Sequence, residues 1–165
     1  METDTTSQFS ELDDQLALQK LINRYHWCAD QFDWRAWADC FTPDAEFDFA
    51  AEFGTMCGRD QIHDICKGNM DHVYEAMQPV RVNLDFEITG ADTAVGHGNL
   101  IFTAIPERAR PEQNFQSGGR YNWEFARTAD GWRIAKARLE FIWKRGDNVG
   151  DVFQASTPQA GASAG

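Results

Sequence analysis

Basic residues are scarce in this chain. Fifteen Lys and Arg stand against 26 Asp and Glu in 165 residues, a formal net charge of −11. A phosphate backbone is gripped by clustered Lys and Arg, so this balance excludes nucleic acid, and an anionic membrane surface, as partners. Long apolar runs are missing as well, and nothing approaches the roughly 20 residues of a membrane-spanning helix. The opening stretch, METDTTSQFSELDD, is acidic and polar, the opposite of a secretory leader, so a cytoplasmic location is expected. The four cysteines (Cys28, Cys40, Cys57, Cys66) form no CxxC pair, and the four histidines (His26, His63, His72, His97) form no HxxxH or HExxH pair. Buried thiols are expected in place of a disulfide or local metal site, and no cofactor is implied.

Apolar and aromatic residues are plentiful. At 42% hydrophobic and 13% aromatic, the chain can fill one sizeable core, and no linker divides it. We read one domain over residues 1–147 and a flexible C-terminal tail over 148–165, where ASTPQAGASAG is low in complexity. Ser10 and Asp13 resemble a capping box. Behind them Leu12, Leu16, Leu21, Ile22, Tyr25, Cys28 and Ala29 recur at helical steps to about residue 31. A short helix, DWRAWADCF, is stopped by Thr42-Pro43, and DAEFDF alternates as a strand. From Gly58 the positions of Ile62, Ile65, Cys66, Met70, Val73 and Met77 predict a third helix of about five turns. After Pro79 the period becomes two: Val80, Val82, Leu84, Phe86 and Ile88 alternate with polar residues. Three more strands are predicted near 93–105, 115–128 and 131–143. Helices followed by successive antiparallel strands make an α+β domain. Helices laid over the concave face of a strongly curved sheet leave a cone-shaped hollow.

Two segments carry a resemblance: LINRYHWCADQFDWRAWADCFTPDAEF early and GRYNWEFARTADGWRI late. Their order resembles the SnoaL-like branch of the nuclear-transport-factor-like superfamily, over roughly residues 10 to 144. That resemblance implies a cystatin-like cone. Bile-acid dehydratase, scytalone dehydratase and hexachlorocyclohexane dehydrochlorinase are among its members, beside isomerases, polyketide cyclases and proteins without catalysis. It also implies a pocket aspartate at Asp30 and, from the dehydratase, a catalytic tyrosine at Tyr25. Pocket-lining positions fall on Tyr74, Leu100, Phe102, Tyr121 and near Arg138. The family's strand histidine has no counterpart in Met77-Gln78-Pro79-Val80.

His26 and Asp30, four apart, share one helix face. A carboxylate that holds a ring N–H makes imidazole a general base near neutral pH, so His26 stands in for the absent strand histidine. Tyr25 at the mouth of the cone would donate to a developing oxyanion or a leaving hydroxyl. Gln78 and Asn83 are alternative polar groups on the first long strand, of opposite parity, so a regular strand turns only one inward. Arg138 inside the hollow would bind a carboxylate or oxyanion. Trp27 and the other aromatics suit a flat apolar ligand. The expected activity is that of a cofactor-independent lyase of dehydratase or deformylase type, working by proton abstraction on a hydrophobic, aromatic hydroxylated small molecule. An isomerase or polyketide cyclase, and a non-catalytic binding module, are the alternatives. A homodimer or higher homo-oligomer is expected.

Overall fold

The computed structural model describes residues 5–49 and 54–146, with side chains from residue 10 onward. The tail expected at 148–165 lies outside the described residues. Helix α1 spans Thr5–Asp30 and α2 Trp34–Ala38; strand β1 is Phe41–Asp48 and β2 Thr55–Cys57; α3 is Arg59–Met70. Four long strands follow: β3 (Ala76–Ile88), β4 (Thr93–Ile105), β5 (Phe115–Thr128) and β6 (Gly131–Arg145). They form one curved sheet in the order β2-β1-β6-β5-β4-β3. β3 to β6 make an antiparallel meander, β1 joins β6 in parallel, and β2 closes that edge antiparallel to β1. No helix among the described residues is long and apolar enough to cross a membrane.

Helix α1 begins earlier than the Ser10 signal, and its apolar seam is narrower than the sequence spacing predicts. Leu18, Leu21, Ile22, Tyr25 and Cys28 are buried, whereas Leu12 and Leu16 are 59% and 52% exposed. The N-terminal half is held to the sheet by Asp14. Its carboxylate accepts from Trp132 Nε1 at 3.1 Å and from Arg127 Nη2 at 2.6 Å. The helix ends in a Schellman motif: Phe32 N–H donates to Ala29 O, Asp33 N–H to Cys28 O, and Phe32 takes a left-handed φ of 58°. A phenylalanine there is strained, at about 1–2 kcal/mol. Asp33 then accepts from Ala36 N–H and caps α2, so one residue ends one helix and starts the next.

Helix α3 is three turns long rather than five. Gly68 and Asn69 weaken its end, Val73 and Tyr74 turn back onto Met70 O, and from Ala76 the chain pairs with Ile105. Sheet pairing thus captures Met77, which the helical spacing had claimed. β1 likewise starts at Phe41, ahead of Pro43, which sits in a register irregularity where its missing N–H costs no ladder bond. Cys28, Cys40 and Cys66 are buried as expected, but Cys57 is exposed. Burial pushes the Cys40 and Cys66 thiols up to about 12.

The sheet feature that matters most is a bulge in β3. Val82 pairs with Asn99 and Asp85 with His97, so Asn83 and Leu84 together face Gly98. Asn83 absorbs the extra residue at a φ of 56°, a conformation asparagine tolerates better than most side chains. Leu84 folds over Gly98, where an added Cβ would meet its Cδ2 at 2.7 Å. The bulge reverses parity. Leu84, Phe86 and Ile88 pack toward the core, while Val80 and Val82 are 40% and 39% exposed. The unbroken Val-Val-Leu-Phe-Ile alternation of the sequence is therefore two half-strands facing opposite ways, and in the first half Met77 and Arg81 turn inward.

Candidate functional site

Arg81 enters the core from β3, where it pairs with the buried Leu100 of β4. Its guanidinium lies over the ring of Tyr121 on β5, 4.3 Å from the centroid, a cation–π contact. Nε and Nη1 are buried without a hydrogen-bond partner. Among the described residues no ion pair involves Arg81. Burial lowers the pKa of the guanidinium, and the Tyr121 and Tyr25 phenols oppose that shift. An unpaired buried charge costs several kcal/mol, so this is an expensive arrangement.

The last two turns of α1 supply Tyr25 and His26. Their rings meet edge to face, 4.8 Å between centroids at 80°. Tyr25 is 3% exposed, backed by Trp37 and Phe41 at 5.4 and 5.7 Å. Both ring nitrogens of His26 are buried without a partner. Desolvation, and after it the positive charge of Arg81, hold the imidazole far below its ordinary pKa, so it is neutral. A neutral imidazole has one donor and one acceptor, and both are unused here. Burial raises the Tyr25 phenol well above its usual value, and raises that of Tyr121 against the pull of Arg81. Both phenols are donors at neutral pH. Tyr121 stacks on Trp123 at 5.0 Å and 7°, and Trp123 Nε1 is also buried without a partner.

Buried polar groups are nearly always satisfied in folded proteins. Seven buried side-chain atoms are not satisfied among the described residues, and four of them belong to His26 and Arg81. The deficit is therefore concentrated on one interacting pair, the signature of groups whose partner arrives from outside. Among the described residues no three His, Cys, Asp or Glu side chains group as metal ligands.

Of the residues singled out from the sequence, Tyr25, His26, Leu100 and Tyr121 are brought together with Arg81. Tyr74, between α3 and β3, is buried, and burial pushes its phenol up to about 12. Phe102 is half-buried against the core. The others lie elsewhere. Trp27 is 66% exposed, because the residue after an inward His26 turns about 100° away, and it forms no wall. Gln78 shares the outward parity of Val80 and Val82, and Asn83 is exposed on the bulge. Arg138 points outward from β6 and pairs with Asp48 at 3.6 Å. Asp30, the half-buried end of α1, makes neither a hydrogen bond nor an ion pair with His26. The residue that sequence reasoning missed is Arg81. Its one signal was its place on β3 just after Met77-Gln78-Pro79-Val80, the stretch that holds no counterpart of the family's strand histidine.

A family profile described as a SnoaL-like domain matches residues 10–138. No curated protein matches the chain. Solved structures do. A protein described as a proposed scytalone dehydratase from Novosphingobium aromaticivorans DSM 12444 superposes with a TM-score of 0.78 at 17% identity, covering 94% of this chain and 99% of that one. The hexachlorocyclohexane dehydrochlorinase LinA-type3 of Novosphingobium barchaimii LL02 gives 0.74 at 18% identity, covering 86% and 95%. An NTF2-like protein with a cystatin-like fold from Novosphingobium aromaticivorans gives 0.72 at 19%, covering 86% and 92%. At these identities the likeness establishes the fold, and the reaction must be argued from the site.

Proposed function

The chain belongs to the SnoaL-like domain family, and from that premise we propose that it is a cofactor-independent lyase that abstracts a proton from a hydrophobic, aromatic hydroxylated small molecule. The observation that carries this reading is the meeting of a neutral, unpartnered His26 with two protonated phenols inside an aromatic core. His26 accepts a proton from a carbon next to a carbonyl. The Tyr121 O–H donates to the carbonyl oxygen as it becomes anionic. Tyr25 protonates the departing hydroxyl, the carbon–oxygen bond breaks, and water leaves. After product release the imidazolium gives its proton to solvent and the Tyr25 phenolate takes one back, which restores both groups. Protons balance and no electron is transferred. Dehydratases and dehydrochlorinases of this fold support the class.

The base in this reading is His26, because its unused nitrogens lie in the cluster and Asp30 makes no hydrogen bond or ion pair with them. The test is a panel of β-hydroxy carbonyl compounds on aromatic frames, followed by mass spectrometry. Loss of water with wild-type protein, and its suppression in His26→Gln, is the expected result. Product of unchanged mass would assign an isomerase. Undiminished turnover in His26→Gln would remove His26 from the mechanism.

A further inference from the structure

We propose that the ligand of this cluster carries a single carboxylate on a flat aromatic body, and that Arg81 is the residue that selects it. The inference rests on the reading that the cluster is the functional site, and it adds the charge of the substrate.

Three observations on Arg81 support it. Arg81 is half-buried as a residue, its Cζ lies 4.3 Å from the centroid of the Tyr121 ring, and its Nε and Nη1 are buried and unpartnered. An arginine kept for structure alone would spend those N–H groups on backbone carbonyls or a carboxylate; here neither is provided. The two unpartnered donors, Nε and Nη1, belong to one planar guanidinium and form a fork. A carboxylate matches such a fork with two oxygens, which a phenolate does not.

The surroundings fix the rest. Tyr25, His26 and Tyr121 are all neutral, leaving Arg81 as the one full charge of the cluster, so one negative charge balances it. Tyr121 stacks on Trp123 beside Arg81, and the Tyr25 phenol acts on the same guanidinium, so the groups around Arg81 are aromatic and suit an aromatic body. Binding also answers a problem in the empty site. The charge of Arg81 is one of the two causes that suppress the basicity of His26. A carboxylate on the guanidinium offsets that cause and makes His26 a better proton acceptor when substrate is in place.

The experiment is calorimetric titration of the full chain with benzoate, its neutral isostere benzamide, and 4-nitrophenolate. Benzoate is expected to bind at least about tenfold more tightly than benzamide, as for a ligand whose loss leaves a buried charge unpaired. Arg81→Met is expected to bind both alike, and Arg81→Lys to keep part of the preference. Equal affinities in the wild type, no benzoate binding at millimolar concentration, or a preference that survives Arg81→Met would each overturn the proposal. Tighter binding of 4-nitrophenolate than of benzoate would overturn the carboxylate assignment. The wild-type comparison stands even where a variant does not fold. Benzoate preference without lyase turnover of any carboxylate would sink the lyase reading alone; lyase turnover of neutral compounds with no benzoate preference would sink this one alone.

Discussion

Arg81 and Arg138 stand on long strands of the same sheet, each between apolar neighbours, in Val-Arg-Val and Ala-Arg-Leu. Their surroundings are opposite. Arg138 projects from the outer face with 62% of its side chain exposed and Asp48 at 3.6 Å. Arg81 projects from the inner face, loses water from Nε and Nη1, and meets tyrosine rings in place of a carboxylate. On the outer face solvent screens the charge, so its partner is worth at most about 1 kcal/mol. On the inner face Nε and Nη1 are cut off from water, only the Tyr121 and Tyr25 phenols offset the loss, and the protein tolerates the cost. A cation kept at that cost, beside a neutral imidazole whose ring nitrogens are also unpartnered, is the observation on which the proposed site rests.

The comparison breaks most visibly at Arg81 itself. Replacing it by Met should abolish turnover and carboxylate binding while leaving stability unchanged or raising it by about 1–4 kcal/mol, because an uncompensated buried charge is removed. Urea unfolding and activity measured on the same preparation check this, and parallel losses of both would make Arg81 merely structural. His26→Gln is expected next, with turnover down about 10²–10⁴-fold and the fold retained by circular dichroism.

His26 also sharpens the comparison through pH. Its pKa in the folded state is depressed, so below the ordinary imidazole value near 6.5 the unfolded chain binds a proton that the folded chain refuses. Stability contributed by neutral His26 is thus complete above about pH 6.5 and falls on acidification at about 1.4 kcal/mol per pH unit. Unfolding midpoints at pH 7, 6 and 5 should lose this component in His26→Gln. Asp30→Asn should lower turnover far less than His26→Gln; the reverse ranking would move the base to Asp30. Arg138→Met closes the series, with stability altered by less than about 1 kcal/mol and turnover unchanged.

Much of the fold was legible because its signals are local. Alternation bounded by Gly, Asp and Pro located β4, β5 and β6 within a residue or two. The end of α3 was not legible, since Val73 and Met77 satisfy a helical period as well as a strand, and pairing of Ala76 with Ile105 decided between them. Short β2 carries no periodic signal of its own. For the candidate site, Tyr25, His26 and Tyr121 were named from spacing and resemblance, and the structure places them beside Arg81. Arg81 was hidden by the β3 bulge. Val80 and Val82 advertise an inward face that belongs only to Leu84, Phe86 and Ile88, and the switch depends on Gly98 lying opposite, information that resides on another strand. A regular strand turns one of Gln78 and Asn83 inward, and the bulge leaves both exposed; Arg138 was placed near the hollow by resemblance and lies on the outer face.

The central claim is that both ring nitrogens of His26 are buried without hydrogen-bond partners near the positive charge of Arg81, which keeps the imidazole neutral. Nitrogen-15 NMR of the histidine side chains, titrated from pH 8 to pH 4 without ligand, tests it directly, with the His26 resonances identified by their loss in His26→Gln. The account predicts one protonated and one unprotonated ring nitrogen in His26 at every pH at which the chain stays folded. Protonation of both nitrogens with a midpoint near 6.5 would contradict it.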